Sequence, residues 1–191
     1  MQDLVIPHPF WIETLNGTAF DLMNPKPAMF DIEEIATALS RLCRYVGHLP
    51  VHYSVAQHCV HVAMLLPSAY RRAALLHDVE EAYLGDWTSP LKRLIRQHTK
   101  IVDHYAHRIR EVAGQRFGCS LVPTHEYIVR ADLKMLVAER RDLKPGVLPP
   151  QSWGPHLPTL DDVADIPRVA PWTAEMARVR FLDTFAAAGG K

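Results

Sequence analysis

An imidazole and a carboxylate stand side by side at His77-Asp78, inside the otherwise apolar, helix-prone stretch Ala73-Ala74-Leu75-Leu76-His77-Asp78-Val79-Glu80-Glu81-Ala82-Tyr83. A charge among apolar neighbours is costly unless it is paired or bound to a metal, so the pair points to coordination of a divalent cation. Two further residues have the same character. His58 lies in Tyr53-Ser54-Val55-Ala56-Gln57-His58-Cys59-Val60 and Asp132 in Ile128-Val129-Arg130-Ala131-Asp132-Leu133-Lys134-Met135-Leu136, each a polar residue among apolar ones in its own expected helix. Helical bundles assemble metal sites from such residues on facing helices. Taken singly, each is an ordinary helix residue; taken together, His58, His77, Asp78 and Asp132 are the expected ligands. Two imidazoles and two carboxylates suit Mn²⁺, Co²⁺, Fe²⁺, Mg²⁺ or Zn²⁺ and leave room for water and a phosphate oxygen. An ion so held polarises a phosphoryl group and lowers the pKa of a bound water toward neutrality. Glu81, one turn after His77-Asp78, projects from the same helical face and is the expected general acid/base. Glu80 points elsewhere and reads as a solvated carboxylate.

These residues need a scaffold, and the chain supplies one in two styles. Residues 10–15 and 18–22 are β-prone runs around Asn16-Gly17, a dipeptide that favours the type I′ turn, so a β-hairpin is expected, packed as an appendage on a helical body. Asp31 with Glu34 then makes a capping box for a helix whose apolar positions Ile32, Ile35, Ala36, Leu39, Leu42, Cys43 and Val46 recur at helical spacing until Gly47. Ser54 with Gln57 makes a second box, opening a helix that carries His58 and ends by Pro67. The next helix is expected over about 69–83 with His77-Asp78 inside it, followed by a turn from Gly85 and a short helix with Pro90 in its first position. A longer amphipathic helix over about 98–116, closed by Gly118, precedes the helix of Asp132 over about 123–141. Pro145, Pro149, Pro150, Pro155, Pro158, Pro167 and Pro171 exclude regular helix or central strand and predict a long surface loop, a candidate lid. Thr173 caps a last helix with Met176, Val179, Leu182, Phe185 and Ala186 as its buried stripe. The expected fold class is all-α, a helical bundle with a small N-terminal β-hairpin. One domain is expected over 1–191, divided into hairpin region 1–30, core 31–142, proline-rich loop 145–172 and C-terminal helix 173–187.

Composition narrows the function classes. A chain of 191 residues, 48% hydrophobic and 22% charged, is ordinary for a globular domain. Its formal net charge is zero, which leaves no large basic surface for nucleic acid or anionic membrane, so any phosphate must be met by local cations. No apolar run reaches the roughly 18 to 20 residues of a membrane span, and no basic-then-apolar leader opens the sequence, so a cytoplasmic protein is expected. Cys43, Cys59 and Cys119 are too few and scattered for a disulfide framework or a cysteine zinc site and read as reduced, buried small residues.

The order of the four candidate ligands, H…HD…D, resembles the metal-binding pattern of the HD-domain phosphohydrolases. The likeness covers about residues 31–142 and is closest to the YfbR-like 5′-deoxynucleotidases and the related HD-type deoxynucleotide triphosphohydrolases. Ser54-Val55-Ala56-Gln57-His58 and His77-Asp78-x-x-Glu81-x-x-x-x-Asp86 carry it more specifically than the bare pair. The resemblance implies an HD-domain helical bundle and assigns further residues. Asp86, by itself an ordinary turn residue, falls where related enzymes carry a functional Asp. Arg44 matches the Arg that precedes the first ligand, with a planar fork suited to phosphate. Tyr45 stands where the nucleotidases usually carry Trp, a departure that bears on the contact discriminating the sugar. Lys92, in Thr88-Ser89-Pro90-Leu91-Lys92, matches a Thr-Pro-x-Lys-like element and is either a point charge for phosphate or a solvated lysine. His61 matches no ligand position and reads as a helix-surface or packing residue; His48, His52 and Trp87 are candidates for substrate contact. The implied reaction is hydrolysis of 5′-deoxynucleoside monophosphates to deoxynucleoside and phosphate. A deoxynucleoside triphosphate triphosphohydrolase, base-selective for instance for dATP, is the second reading. A catalytically inactive nucleotide-binding HD module is the rival from another class, and Glu81 beside the ligands speaks against it. The expected partners are a nucleotide substrate and further copies of the chain in a homo-oligomer, with neither nucleic acid nor membrane.

Overall fold

The computed structural model describes residues 8–144 and 156–190. Strands β1 (Trp11–Glu13) and β2 (Ala19–Asp21) pair antiparallel with Ile12 opposite Phe20. Their turn is not type I′, which needs positive φ at both central residues. Within it Gly17 alone is left-handed, at φ 80°. Gly17 N donates to Thr14 O at 3.0 Å and Thr14 N to Thr18 O at 2.9 Å, the pattern of a type I turn closed by a left-handed glycine. Glu34 explains the choice. Its Oε1 accepts from the Asn16 amide at 2.5 Å and from Thr14 Oγ1 at 2.7 Å, so the carboxylate predicted to reach back to Asp31 instead fastens the hairpin to the helices.

Asp31 still caps its helix, accepting from the amides of Glu33 and Glu34 at 2.8 and 3.1 Å. That helix, α1 (Ile32–Arg41), ends before Leu42 rather than at Gly47. Residues 42–44 turn extended instead: Cys43 bridges Ser54, Arg44 N donates to Tyr53 O at 2.9 Å and Val55 N to Leu42 O at 3.0 Å. Tyr45 and Val46 then sit in the left-handed region, at φ 58° and 54°, a conformation that costs about 1–2 kcal/mol per residue.

Helix α2 (Val55–Met64) starts on Ser54, whose Oγ accepts from Gln57 N at 3.2 Å. It is buried on every side, at Val55, Ala56, Gln57, His58, Cys59, Val60, Val62 and Ala63, as expected of a helix apolar all round. Where the sequence predicts one helix over 69–83, there are two: α3 (Ser68–Leu75) and α4 (Glu81–Leu84). Leu76 leaves helical geometry (φ −101°, ψ 10°), and tighter i→i+3 bonds take over, Val79 N to Leu76 O at 3.1 Å and Glu81 N to Asp78 O at 3.0 Å. The chain continues through α5 (Ser89–Arg96), in which Pro90 is the second residue, α6 (Ile101–Phe117), ended by left-handed Gly118, α7 (Glu126–Leu143) and α8 (Ala174–Ala187). Helices α1, α3, α7 and α8 all pack on α2, which is the centre of the bundle. The hairpin joins them where Phe20 stacks on Tyr83 at 3.7 Å and meets Phe30 edge-on at 5.1 Å.

Of the proline-rich segment, residues 145–155 lie outside those described, so the lid reading there does too. From 156 to 173 the chain is a strap across α7 and α2. Arg141 donates to the carbonyls of Val163 and Ile166 at 2.8 and 3.1 Å, Asp142 accepts from Val169 N at 2.8 Å, and Gln57 clamps Ala170 O and Trp172 N, each at 2.8 Å. Gln57 therefore does not complete the predicted capping box. In α8 the buried stripe is Ala177, Phe181 and Phe185, while Met176 and Val179 are 46% and 43% exposed and Ala186 also faces out. The rotation is set from α1: Arg178 bonds Thr37 Oγ1 at 3.0 Å and Glu33, which turns residues 177 and 181 inward. No helix among the described residues is long and apolar enough to cross a membrane.

Candidate metal centre

Three pieces of chain deliver the site. The central helix α2 brings His58, fully buried. The break between α3 and α4 brings His77 and Asp78, and α7 brings Asp132. The break orients His77: its Nδ1 contacts Ala74 O at 2.7 Å, and because a carbonyl only accepts, Nδ1 carries the proton and Nε2 is left as the atom able to bind a metal. Potential ligand atoms of His58, His77 and Asp132 all lie within 4.8 Å of one another. His58 Nε2 is 3.0 Å from Asp132 Oδ1 and 3.9 Å from Asp78 Oδ2, and His77 Nε2 is 3.2 Å from Asp78 Oδ2. Neither buried Nε2 makes a hydrogen bond. Such orphaned nitrogens facing carboxylates are what a cation would satisfy. The structure thus brings together all four residues singled out from the sequence. It adds Cys59, whose sulfur forms a second such group with His77 and Asp78, also within 4.8 Å.

The cluster is closed on one side and open on the other. The His58 and His77 side chains are 0% and 7% exposed, those of Asp78 and Asp132 20% and 37%, so the way in passes the carboxylates. Its electrostatics favour positive charge. Burial and Arg44 depress the His58 imidazole, but Glu139 and Asp132 outweigh them and raise it to about 9. Burial raises Asp132, yet His58, His77 and Arg44 hold it well below the usual carboxylate range.

Glu81 is buried at the rim, with Oε1 accepting from Lys92 Nζ at 3.2 Å and Oε2 without a partner. Burial, then Asp78 and Asp86, push its carboxyl well above the ordinary value, and burial likewise raises Asp86 in the turn after α4. Lys92 is therefore no solvated lysine but the partner of Glu81. Glu80, read as solvated, is only 8% exposed: it lies 3.6 Å from Arg110 Nε, and burial pushes its carboxyl up to about 7.

Arg44 and Tyr45 are drawn inward by a residue the sequence did not single out. Glu139, completely buried, faces Arg44 Nε at 3.3 Å, Tyr45 Oη at 2.6 Å, Tyr53 Oη at 2.8 Å and His58 Nδ1 at 2.6 Å. Burial favours its neutral form, but Arg44 and His58 hold it ionised, down to about 2. Arg44 NH1 remains 3.9 Å from Asp78. The Tyr45 hydroxyl is thus committed to Glu139 rather than to a sugar. The available signal was spacing: Glu139 follows Asp132 by two helical turns and shares its face. His52 is also committed, to Ser40 O at 3.1 Å and Cys43 Sγ at 3.3 Å, and Trp87 Nε1 donates to Leu84 O at 2.9 Å, so both serve local structure. His61 packs edge-on to Trp172 at 4.9 Å.

Fold and site define a helical protein with a small hairpin and a buried histidine-aspartate cluster able to hold a metal ion. No family model matches the chain. It is 40% identical over 136 residues to the uncharacterized protein YfdR of Escherichia coli K12, spanning 70% of this chain and 72% of that protein. It is 35% identical over 121 residues to the uncharacterized protein RCAP_rcc00048 of Rhodobacter capsulatus, spanning 59% of this chain and 60% of that protein. The chain belongs to the family of YfdR.

Proposed function

We propose that the protein is a metal-dependent phosphohydrolase of the HD-domain type that converts 5′-deoxynucleoside monophosphates to deoxynucleoside and phosphate. The observation that carries the reading is the convergence of the buried Nε2 atoms of His58 and His77, which make no hydrogen bond, with the carboxylates of Asp78 and Asp132, beside Glu81 and Lys92. A divalent ion there, Mn²⁺, Co²⁺, Mg²⁺, Fe²⁺ or Zn²⁺, supplies Lewis acidity toward a phosphoryl oxygen and an acidified water. The residues divide the remaining work. Asp78 and Asp132 form the exposed edge at which substrate meets the ligands. Lys92 and the outer edge of Arg44 neutralise phosphate charge. Glu81 handles the proton: water oxygen bonds to phosphorus, the bond from phosphorus to the 5′ oxygen breaks, and the proton taken from water goes to that leaving oxygen. Asp86 lies within electrostatic reach of Arg44 and Lys92 and adds to the charge balance of the rim.

Incubation of the protein with deoxynucleoside and ribonucleoside mono- and triphosphates in Mn²⁺, Co²⁺ or Mg²⁺, with products separated by chromatography, tests this. Deoxynucleoside and inorganic phosphate from deoxynucleoside monophosphates, with ribonucleotides poorer, is the expected outcome. Tripolyphosphate from a deoxynucleoside triphosphate, with monophosphates untouched, overturns it.

A further inference from the structure

We infer that Glu139 is a positioning residue that fixes two of the candidate metal ligands at once, His58 directly and Asp78 through Arg44. The inference rests on reading the cluster as a metal centre. Glu139 is 0% exposed, and a buried carboxylate is tolerated only when its oxygens are satisfied. Here each oxygen has two partners. Oε1 takes His58 Nδ1 at 2.6 Å and Tyr53 Oη at 2.8 Å; Oε2 takes Tyr45 Oη at 2.6 Å and faces Arg44 Nε at 3.3 Å. With both oxygens engaged, Glu139 stands behind the cluster rather than among its candidate ligands.

Oε1 already accepts from the Tyr53 hydroxyl and lies 2.6 Å from His58 Nδ1, the geometry of an imidazole N–H donating to a carboxylate, so Nδ1 carries its proton toward Glu139. That leaves Nε2, buried and without a hydrogen bond, aimed at Asp132 and Asp78. The other oxygen acts through the main chain. The left-handed pair Tyr45-Val46 is an unfavourable conformation for two residues with a Cβ, and the Tyr45 hydroxyl bond to Glu139 ties it down. Arg44 enters the site from that turn, one edge on Glu139 and NH1 3.9 Å from Asp78 Oδ2. Histidine ligands oriented by a carboxylate typically lose about 10–100-fold in metal affinity when the carboxylate is removed.

The test compares wild type with Glu139→Gln in the full-length protein, by Co²⁺ titration followed in the visible d–d bands and by NMR of the ¹⁵N-histidine-labelled, metal-free chain. The expected result is a low-field Nδ1–H signal of His58, assigned by its loss in His58→Gln, that vanishes in Glu139→Gln, with an altered Co²⁺ spectrum and affinity lower by about 10–100-fold. A purely structural carboxylate would lower the melting temperature and leave spectrum and affinity alone. Wild type with Nδ1 unprotonated overturns the inference, as does a folded variant that binds Co²⁺ like wild type. If wild type takes up no Co²⁺, the metal-centre reading itself falls, an outcome distinct from equal binding by both. Should Glu139→Gln not fold, Glu139→Asp, which keeps the charge but withdraws it by one methylene, is expected to weaken Co²⁺ binding, and unchanged affinity overturns the inference.

Discussion

Lys92 holds one oxygen of Glu81 at 3.2 Å and leaves the other without a partner at the rim of the cluster, so the carboxylate can serve a reacting water without leaving its place. Glu81→Gln is accordingly expected to retain metal and fold while lowering kcat by roughly 10²-fold or more, measured in steady-state kinetics. Glu80→Gln is the informative neighbour. It removes a buried charge facing Arg110 rather than the cluster, so its effect belongs to thermal stability, and turnover at the wild-type rate is expected. Equal losses of kcat in the two variants would remove Glu81 from the chemistry. His77 and Asp78 answer a different question. His77→Ala and Asp78→Ala should each abolish stoichiometric metal uptake, by elemental analysis after gel filtration, with the helical circular dichroism retained; metal persisting in the double variant would sink the site.

At the scale of elements, the connection from α1 to α2 invites a direct test of strain. Val46 is left-handed at φ 54° and 63% exposed, so its side chain contributes little packing to offset its backbone cost. Val46→Gly relieves about 1–2 kcal/mol of steric cost but returns part of it as unfolded-state entropy, leaving a net stabilisation of roughly 0.5 kcal/mol. A rise of about 1–2 °C in melting temperature is expected, and a fall would show that the turn is not strained as built. The same connection shows where sequence pattern stops being informative. Leu42, Cys43 and Val46 continue the helical spacing of α1 faithfully, but a bridge to Ser54 and a hydroxyl held by Glu139, a residue far along the chain, decide against the helix. The break at Leu76 was hidden for a related reason: a histidine bonding the carbonyl three residues back leaves the apolar spacing unchanged. Caps read better, because Asp31, Ser54 and Thr173 act on amides two or three residues away.

At the scale of the whole molecule, four polar residues in three apolar stretches were enough to find the cluster, since each interrupts the apolar pattern around it. Glu139 interrupts nothing: followed by Arg140 and Arg141, it looks like the solvated end of a helix until the fold buries it. The strap is held by a similar residue. The Asp142 side chain is 3% exposed and bound by Arg141, Arg168 and the Val169 amide. Burial raises its carboxyl, but these partners bring it down from 3.8 to about 2. A group depressed on folding contributes stability above its unfolded pKa and loses it as pH falls through the folded value, here between about 4 and 2. Asp142→Asn should therefore unfold at lower urea than wild type at pH 7, with the difference closing toward pH 2; a constant difference would assign the stabilisation to packing instead. The placing of α2 has a further consequence, in time rather than energy. A helix enclosed by α1, α3, α7 and α8 exposes its amides only when the rest opens, so the backbone of 58–63 should be the slowest part of the chain to take up deuterium, at a rate set by global unfolding. Loading and release of whatever His58 holds must then proceed by movement at Asp78 and Asp132 while the His58 backbone stays still.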